Sequence, residues 1–244
     1  MFNYLGRKEG KEQGRRTRKL NPCQKSQIIR ESNPAQNFIK VNNPAQTLPR
    51  NPGIKLDLDW ATSVQANTSA IERRCKSLPG RRSIKKANQA AWLLKAITCI
   101  DLTTLSGDDT ENRVRRLCRK GRYPVREDIL RELGIEPGRI TTGAICVYHE
   151  MVQAAVKALD GSGIPVAAVS TGFPAGLSPY SLRLAEIGES VAAGAEEIDI
   201  VISRRHVLSQ DWQALYEEIK SFREACGEAH LKAILATGEL GTLR

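Results

Sequence analysis

Five short apolar runs, spaced along the chain from residue 97 onward and each closing on polar residues, limit the fold more than any other feature. They read Ile97-Thr-Cys-Ile-Asp-Leu-Thr-Thr104, Gly143-Ala-Ile-Cys-Val-Tyr148, Ile164-Pro-Val-Ala-Ala-Val-Ser-Thr171, Glu197-Ile-Asp-Ile-Val-Ile-Ser203 and Leu231-Lys-Ala-Ile-Leu-Ala-Thr-Gly-Glu239. Continuous apolar strands separated by helical stretches mark a parallel sheet buried on both faces. Two architectures take such strands. An open doubly wound sheet is content with five, whereas a (β/α)8 barrel needs eight. A full barrel occupies roughly 250 residues, so five of its units take about 155, which is close to the length of residues 90–244. As a barrel segment the first and fifth strands are open edges, an aggregation liability. The pattern alone leaves both architectures open.

The stretches between the runs carry helical spacing. Leu56, Leu58 and Trp60 open a short helix ahead of Ile71, and Pro79-Gly80 breaks it. Residues 83–96 repeat apolar positions at Ala87, Ala90, Ala91 and Leu94, as a helical cap beneath the strands would. Asp108 or Asp109 is placed to cap a helix running to about Arg119. A further helix passes through Ile129 and Leu130 and stops at Gly134. Helices are then predicted over residues 149–159 and 178–193. The second of these has Leu182, Leu184, Ile187 and Val191 as its apolar residues and Gly194 just past its end. Asp211 caps the last, with Trp212, Leu215, Ile219 and Phe222 facing inward. Right-handed crossovers place such helices on the outside of the sheet.

The net charge of +10 is unevenly distributed. Residues 1–50 carry 11 Lys and Arg against 3 Glu, while the remaining residues carry 26 basic against 24 acidic side chains. The folded part is therefore nearly neutral. The basic segment is polar, aperiodic and punctuated by Asn-Pro turns, a composition that buries too little surface to offset its ordering entropy. Residues 1–54 read as a disordered basic extension and 55–244 as the folded unit. Within the extension, residues 7–30 include Arg15-Arg16-Thr-Arg18-Lys19, a candidate for weak contact with nucleic acid or an acidic partner and for nuclear localisation. An organelle leader is the other functional reading, weakened by Glu9, Glu12 and Glu31. No apolar run is long enough for a membrane helix or a secretory core. The six scattered cysteines form no Cys-x-x-Cys pair, which argues against zinc and disulfide scaffolds and for a reducing, cytoplasmic setting.

Two carboxylates stand inside strand cores: Asp101 within Cys-Ile-Asp-Leu-Thr-Thr-Leu and Asp199 within Glu-Ile-Asp-Ile-Val-Ile. A carboxylate flanked by isoleucines costs several kcal/mol to desolvate unless paired. Lys232, between Leu231 and Ala233, is the obvious partner, because strands four and five are expected to be neighbours. A buried lysine beside an aspartate is equipment for proton transfer to or from a carbon acid, although a charged pair that merely fills the interior has the same sequence signature.

Five motifs in series, at 99–105, 144–148, 172–176 (Gly-Phe-Pro-Ala-Gly), 197–202 and 231–240, closely resemble the strand motifs of the deoxyribose-phosphate aldolase family in its animal form. The resemblance runs from about Leu56 to Leu243. It implies an α/β fold of the TIM-type (β/α)8 barrel kind, incomplete here at about five βα units. It also implies a metal-independent class I aldolase without a cofactor. Such an enzyme cleaves 2-deoxy-D-ribose 5-phosphate to acetaldehyde and D-glyceraldehyde 3-phosphate in deoxyribonucleotide and carbohydrate catabolism. By the same resemblance Asp199 is the acid–base aspartate, Asp101 and Lys232 are polar residues around the reactive lysine, and Cys146 and Leu105 lie near the pocket. The family's imine-forming lysine lies in a Lys-Thr-Ser-Thr-Gly motif on strand six. That motif is absent from this sequence, and so is the second catalytic lysine of a later strand. The expectation is a family sequence truncated after strand five and inactive as it stands. The alternatives are a non-catalytic splice or partial product acting through its basic segment, or a sequence whose continuation is missing. The oligomeric state is not legible.

Overall fold

The computed structural model describes residues 53–81 and 83–242. The expected basic extension, including the 7–30 contact segment, lies outside the described residues except for Gly53 and Ile54. The Ile54 carbonyl accepts a hydrogen bond from the Tyr216 hydroxyl at 2.8 Å.

Two short helices take the place of the one expected near Leu58. Helix α1 (Leu58–Ser63) is capped by the Asp57 side chain, which accepts from Trp60 N–H. Helix α2 (Thr68–Ser77) is capped in the same way by Asn67. Neither buries a residue. Helix α3 (Lys86–Ile97) does, placing Leu94 against Leu130, Ile135 and Ile140. Those partners precede the second strand, so this small cluster sits under the strand starts, as a cap should.

The sequence then alternates. Strand β1 (Asp101–Thr103) leads to α4 (Glu111–Arg122) and α5 (Glu127–Glu132), and β2 (Ala144–Tyr148) to a 3-10 turn and α6 (Val152–Leu159). Strand β3 (Val166–Ser170) leads to α7 (Tyr180–Ala192), and β4 (Glu197–Val201) to α8 (Arg204–Leu208) and α9 (Trp212–Ala225). Strand β5 (His230–Ile234) closes the described series, followed by a 3-10 turn at Thr237–Glu239. The first and fourth strands are shorter than their apolar runs because Ile97 still ends α3, residues 98–99 turn, and residues 202–203 have left the ladder without regular structure. Helix α4 is capped by Thr110, whose hydroxyl accepts from Arg113 N–H, and not by Asp108 or Asp109. Asp109 is engaged by the Thr104 hydroxyl and Ser106 N–H, and Asp108 pairs with Arg113.

All five strands are parallel and lie in the order β1-β2-β3-β4-β5. A doubly wound sheet reverses its strand order at a switch point and carries helices on both faces. A sequential order with right-handed crossovers puts every crossover helix on one face. The packing agrees: Val114 and Cys118 of α4, Val152 and Ala155 of α6, Ile187 of α7 and Phe222 of α9 share one core with Ile145, Val147, Val166, Ala168, Ile198, Ile200 and Leu231. The opposite face carries a separate cluster of Ala144, Cys146, Ala167 and Val169, with Leu105, Tyr148 and Phe173 against it. Alternating side chains divide each strand between these two faces.

The apolar residues of helix α7 are not equally buried. Ile187 is fully buried, but Leu182 is 60 % exposed, and the deeply buried partners of Ile187 on this helix are Arg183 and Ser190. Gly194 follows the helix at φ 100°, the left-handed stop its position suggested. Ile187→Ala should therefore cost about 2–5 kcal/mol, and Leu182→Ala within about 0.5 kcal/mol of nothing. Urea denaturation of the two variants checks this, and a comparable loss for both would contradict the assigned faces.

Candidate active site

The concave face is built from strand residues two apart. On β4 these are Glu197 and Asp199, while Ile198 and Ile200 point to the helices. The register pairs Asp199 directly with Lys232 of β5, as the sequence suggested, and Glu197 with His230. Lys232 Nζ lies 3.0 Å from Asp199 Oδ1 and 3.0 Å from Glu197 Oε2, and it donates to Asp101 Oδ2 of β1. In a flat sheet of this order β1 and β5 would stand about 19 Å apart, four spacings of roughly 4.8 Å. That exceeds the joint reach of a lysine and an aspartate, so the Lys232–Asp101 contact requires a strongly curved sheet. Small side chains at Ala144 and Ala167 leave the lysine its path across the concavity.

One ammonium thus faces three carboxylates. Burial works against the Lys232 charge, but the hydrogen bond to Asp101, the charge of Asp199 and the Glu197 contact outweigh it and raise the lysine above its ordinary value. Asp199 moves up as well. Its own burial is the largest cause and Asp101 adds to it, against the pull of Lys232 and Cys146. Its Oδ1 lies close to the ammonium but receives no aligned hydrogen bond. The two shifts act on stability in the same sense, each lost as pH rises, but in different pH windows. A raised carboxyl binds its proton more tightly folded than unfolded, so Asp199 withdraws stability as pH climbs past the ordinary carboxylate range. Lys232 adds stability that is complete below the ordinary lysine value and is lost only above it.

Cys146 of β2 completes the group, its Sγ 3.7 Å from Asp199 Oδ2. Burial first, then the Asp199 charge, pushes the thiol up to about 12, with Lys232 pulling the other way. Leu105, just past β1, packs in the concave apolar cluster with Cys146. The residues singled out in sequence, Asp101, Leu105, Cys146, Asp199 and Lys232, therefore share this face. Glu197 was missed, although the period of two placed it beside Asp199. Arg183 and Glu218, a buried ion pair at 2.9 Å behind the ends of β3 and β4, were missed too. Among the described residues no lysine other than Lys232 projects from a strand.

Residues 95–243 match the family described as DeoC/LacD family aldolase. Curated relatives named deoxyribose-phosphate aldolase include the human protein, 57 % identical over 195 residues, and the mouse protein, 58 % identical over 193. The match covers 79 % and 78 % of this chain, and in each case 61 % of the relative's length. A crystal structure from Coccidioides immitis, assigned to deoxyribose-phosphate aldolase, superposes with a TM-score of 0.50 at 26 % identity, over 60 % of this chain and 51 % of that one.

With a thiol near 12, the thiolate fraction at pH 8 is about 10⁻⁴. Iodoacetamide at pH 8 should label Cys146 at least about 10³-fold more slowly than exposed Cys75, read by peptide mass spectrometry. Equal labelling rates would mean that the thiol is neither buried nor set against Asp199.

Proposed function

The chain belongs to the DeoC/LacD aldolase family, and from that premise we propose that its concave face is the proton-handling part of an imine-forming aldolase site for 2-deoxy-D-ribose 5-phosphate. The names of the animal relatives support the substrate, and the charge cluster supports the chemistry. Because the chain spans 61 % of the length of those relatives, the activity of a whole protein is part of the proposal.

The opposite uses of Asp199 and Lys232 carry this reading. A lysine that attacks a carbonyl must first lose its proton, which enzymes promote by apolar surroundings or a neighbouring cation. Lys232 has the reverse environment: three carboxylates hold it protonated. It is a charge partner, not the imine former. Asp199 is raised by burial toward the range in which a carboxyl can both take and give a proton. In aldol cleavage through an imine, a hydroxyl proton must leave as the C–C bond breaks, and a proton must return to carbon when the enamine is released. Asp199, working through water, is placed for both transfers. Asp101 and Glu197 fix the ammonium beside it. Loss of a covalent nucleophile costs on the order of 10⁶ in kcat, so residues 1–244, which lack the Lys-Thr-Ser-Thr-Gly motif, should not turn over alone.

The test compares the 244-residue chain with a fusion that adds the stretch of the human relative following the matched region. Each is incubated with 2-deoxyribose 5-phosphate and borohydride, then read by intact mass and by acetaldehyde release. The expected result is no adduct and no acetaldehyde for the 244-residue chain. The fusion should give acetaldehyde and an adduct on a lysine of the added stretch. A reduced adduct on Lys232, or an inert but folded fusion, would overturn the reading.

A further inference from the structure

Behind the ends of β3 and β4, on the helix side, lies a polar network that the aldol chemistry does not use. Arg183 of α7 is 3 % exposed and Glu218 of α9 is 6 % exposed. The guanidinium sits over the fully buried Phe222 ring, 4.8 Å from its centre. Its Nε donates to Thr171 O at 3.1 Å and its Nη2 to Val201 O at 2.9 Å. Nη1 donates to Ser203 Oγ and Glu218 Oε2, both at 2.9 Å. Glu218 in turn accepts from Ser203 N–H at 2.8 Å and from the Ser203 hydroxyl at 2.6 Å. These bonds hold Glu218 below the ordinary carboxylate range against the opposing effect of its burial, Ser203 contributing more than Arg183.

The carbonyls gripped by Arg183 are those at which the β3–β4 ladder stops. The last paired residues are Ser170 and Ile200. One step further Thr171 turns into left-handed backbone at φ 62°, and its hydroxyl accepts from Val201 N–H at 2.7 Å in place of a ladder bond. A threonine rarely holds that conformation unless its surroundings impose it. Gly176, at φ 70°, lets the following loop press on the same point, since a Cβ there would lie 2.9 Å from Val201 Cγ1. Val201 stands two residues after Asp199 on β4, on the same face.

We propose that the Arg183–Glu218 pair is a positioning device for Asp199: it locks the ends of β3 and β4 so that the aspartate stays buried over Lys232. A buried ion pair is a poor source of stability, because desolvation consumes much of the Coulombic gain and apolar replacements of both partners are often neutral or better. Its geometric effect is the stronger one, since only a planar fork reaches two carbonyls, a hydroxyl and a carboxylate at once. Without it the strand end frays, as terminal ladder residues do where few contacts remain. Water then reaches Asp199, which faces Asp101, Glu197, Lys232 and Cys146. The proposal concerns the site described above but does not depend on the reaction assigned to it.

The experiment follows the Asp199 carboxyl by ¹³C NMR across pH in the full 244-residue chain, together with thermal melting. In Arg183→Met/Glu218→Met, which removes both charges, melting should stay near that of the parent while the Asp199 midpoint falls toward the ordinary carboxylate value as burial is relieved. Arg183→Lys keeps a cation beside Glu218 but not the fork, and should shift the midpoint in the same direction. It serves as the deciding variant if the double substitution does not fold. An unmoved Asp199 midpoint in either folded variant, whatever the melting temperature does, reduces the pair to a structural contact and overturns the proposal. Neither outcome depends on imine formation, so failure here is distinct from failure of the aldolase reading.

Discussion

The hydrogen bond from Lys232 to Asp101 ties the first described strand to the last across the hollow of the sheet, and most of the architecture is arranged around it. It exists only because the sheet curls, and the sheet curls because sequential parallel strands with one-sided helices twist in one sense. The outer face is filled with large apolar side chains such as Ile145, Ile198, Ile200 and Phe222, so packing drives the curvature from outside. Below Tyr148 the inner face of β2 and β3 carries only alanine, cysteine and valine, which leaves space for one long cation and three carboxylates. A partly open ion pair alone contributes little to stability. Its significance here is that it gathers charge from β1, β4 and β5 at a single point.

That point is unbalanced, and the imbalance has chemical consequences. Three carboxylates around one ammonium make the lysine a worse nucleophile and leave the most buried carboxyl readier to carry a proton. The same cluster therefore argues against one role for Lys232 and for another role for Asp199. Cys146, raised by its burial and by Asp199, stays a neutral neighbour that limits water around the aspartate without competing for its charge. The polar network behind Thr171 and Val201 adds a second level of control, because it fixes the backbone from which Asp199 projects.

Much of this was legible in the residues. Apolar runs located every described strand, and the placement of Asp199 between two isoleucines indicated the face it takes. The pairing of Asp199 with Lys232 needed only the assumption that consecutive strands are neighbours, which the register bears out. Glu197 was overlooked because its contribution depends on the reach of Lys232, not on its own apolar context. Arg183 and Glu218 were overlooked because the helices were read by their apolar residues alone. Yet Arg183 lies four residues before Ile187 and Glu218 four before Phe222, on the stripes that α7 and α9 bury. The cap of α4 was misassigned among several polar candidates. Thr110 holds it through its extended backbone, at φ −123° and ψ 158°, while Asp109 is already bound to Thr104 and Ser106. Curvature has no local signal in the sequence, since it appears only when distant strands are brought together.

The most direct measurement is a double-mutant cycle on Asp101→Asn and Lys232→Met, read by urea denaturation of the full chain at pH 7 and at pH 3. If the charge cluster spans the curved sheet as described, the two substitutions will couple by at least about 0.5 kcal/mol at pH 7, and the coupling will shrink when the carboxylates are protonated. Strictly additive effects at pH 7 would mean that β1 and β5 do not meet through this pair, and the account of the concave face would be wrong.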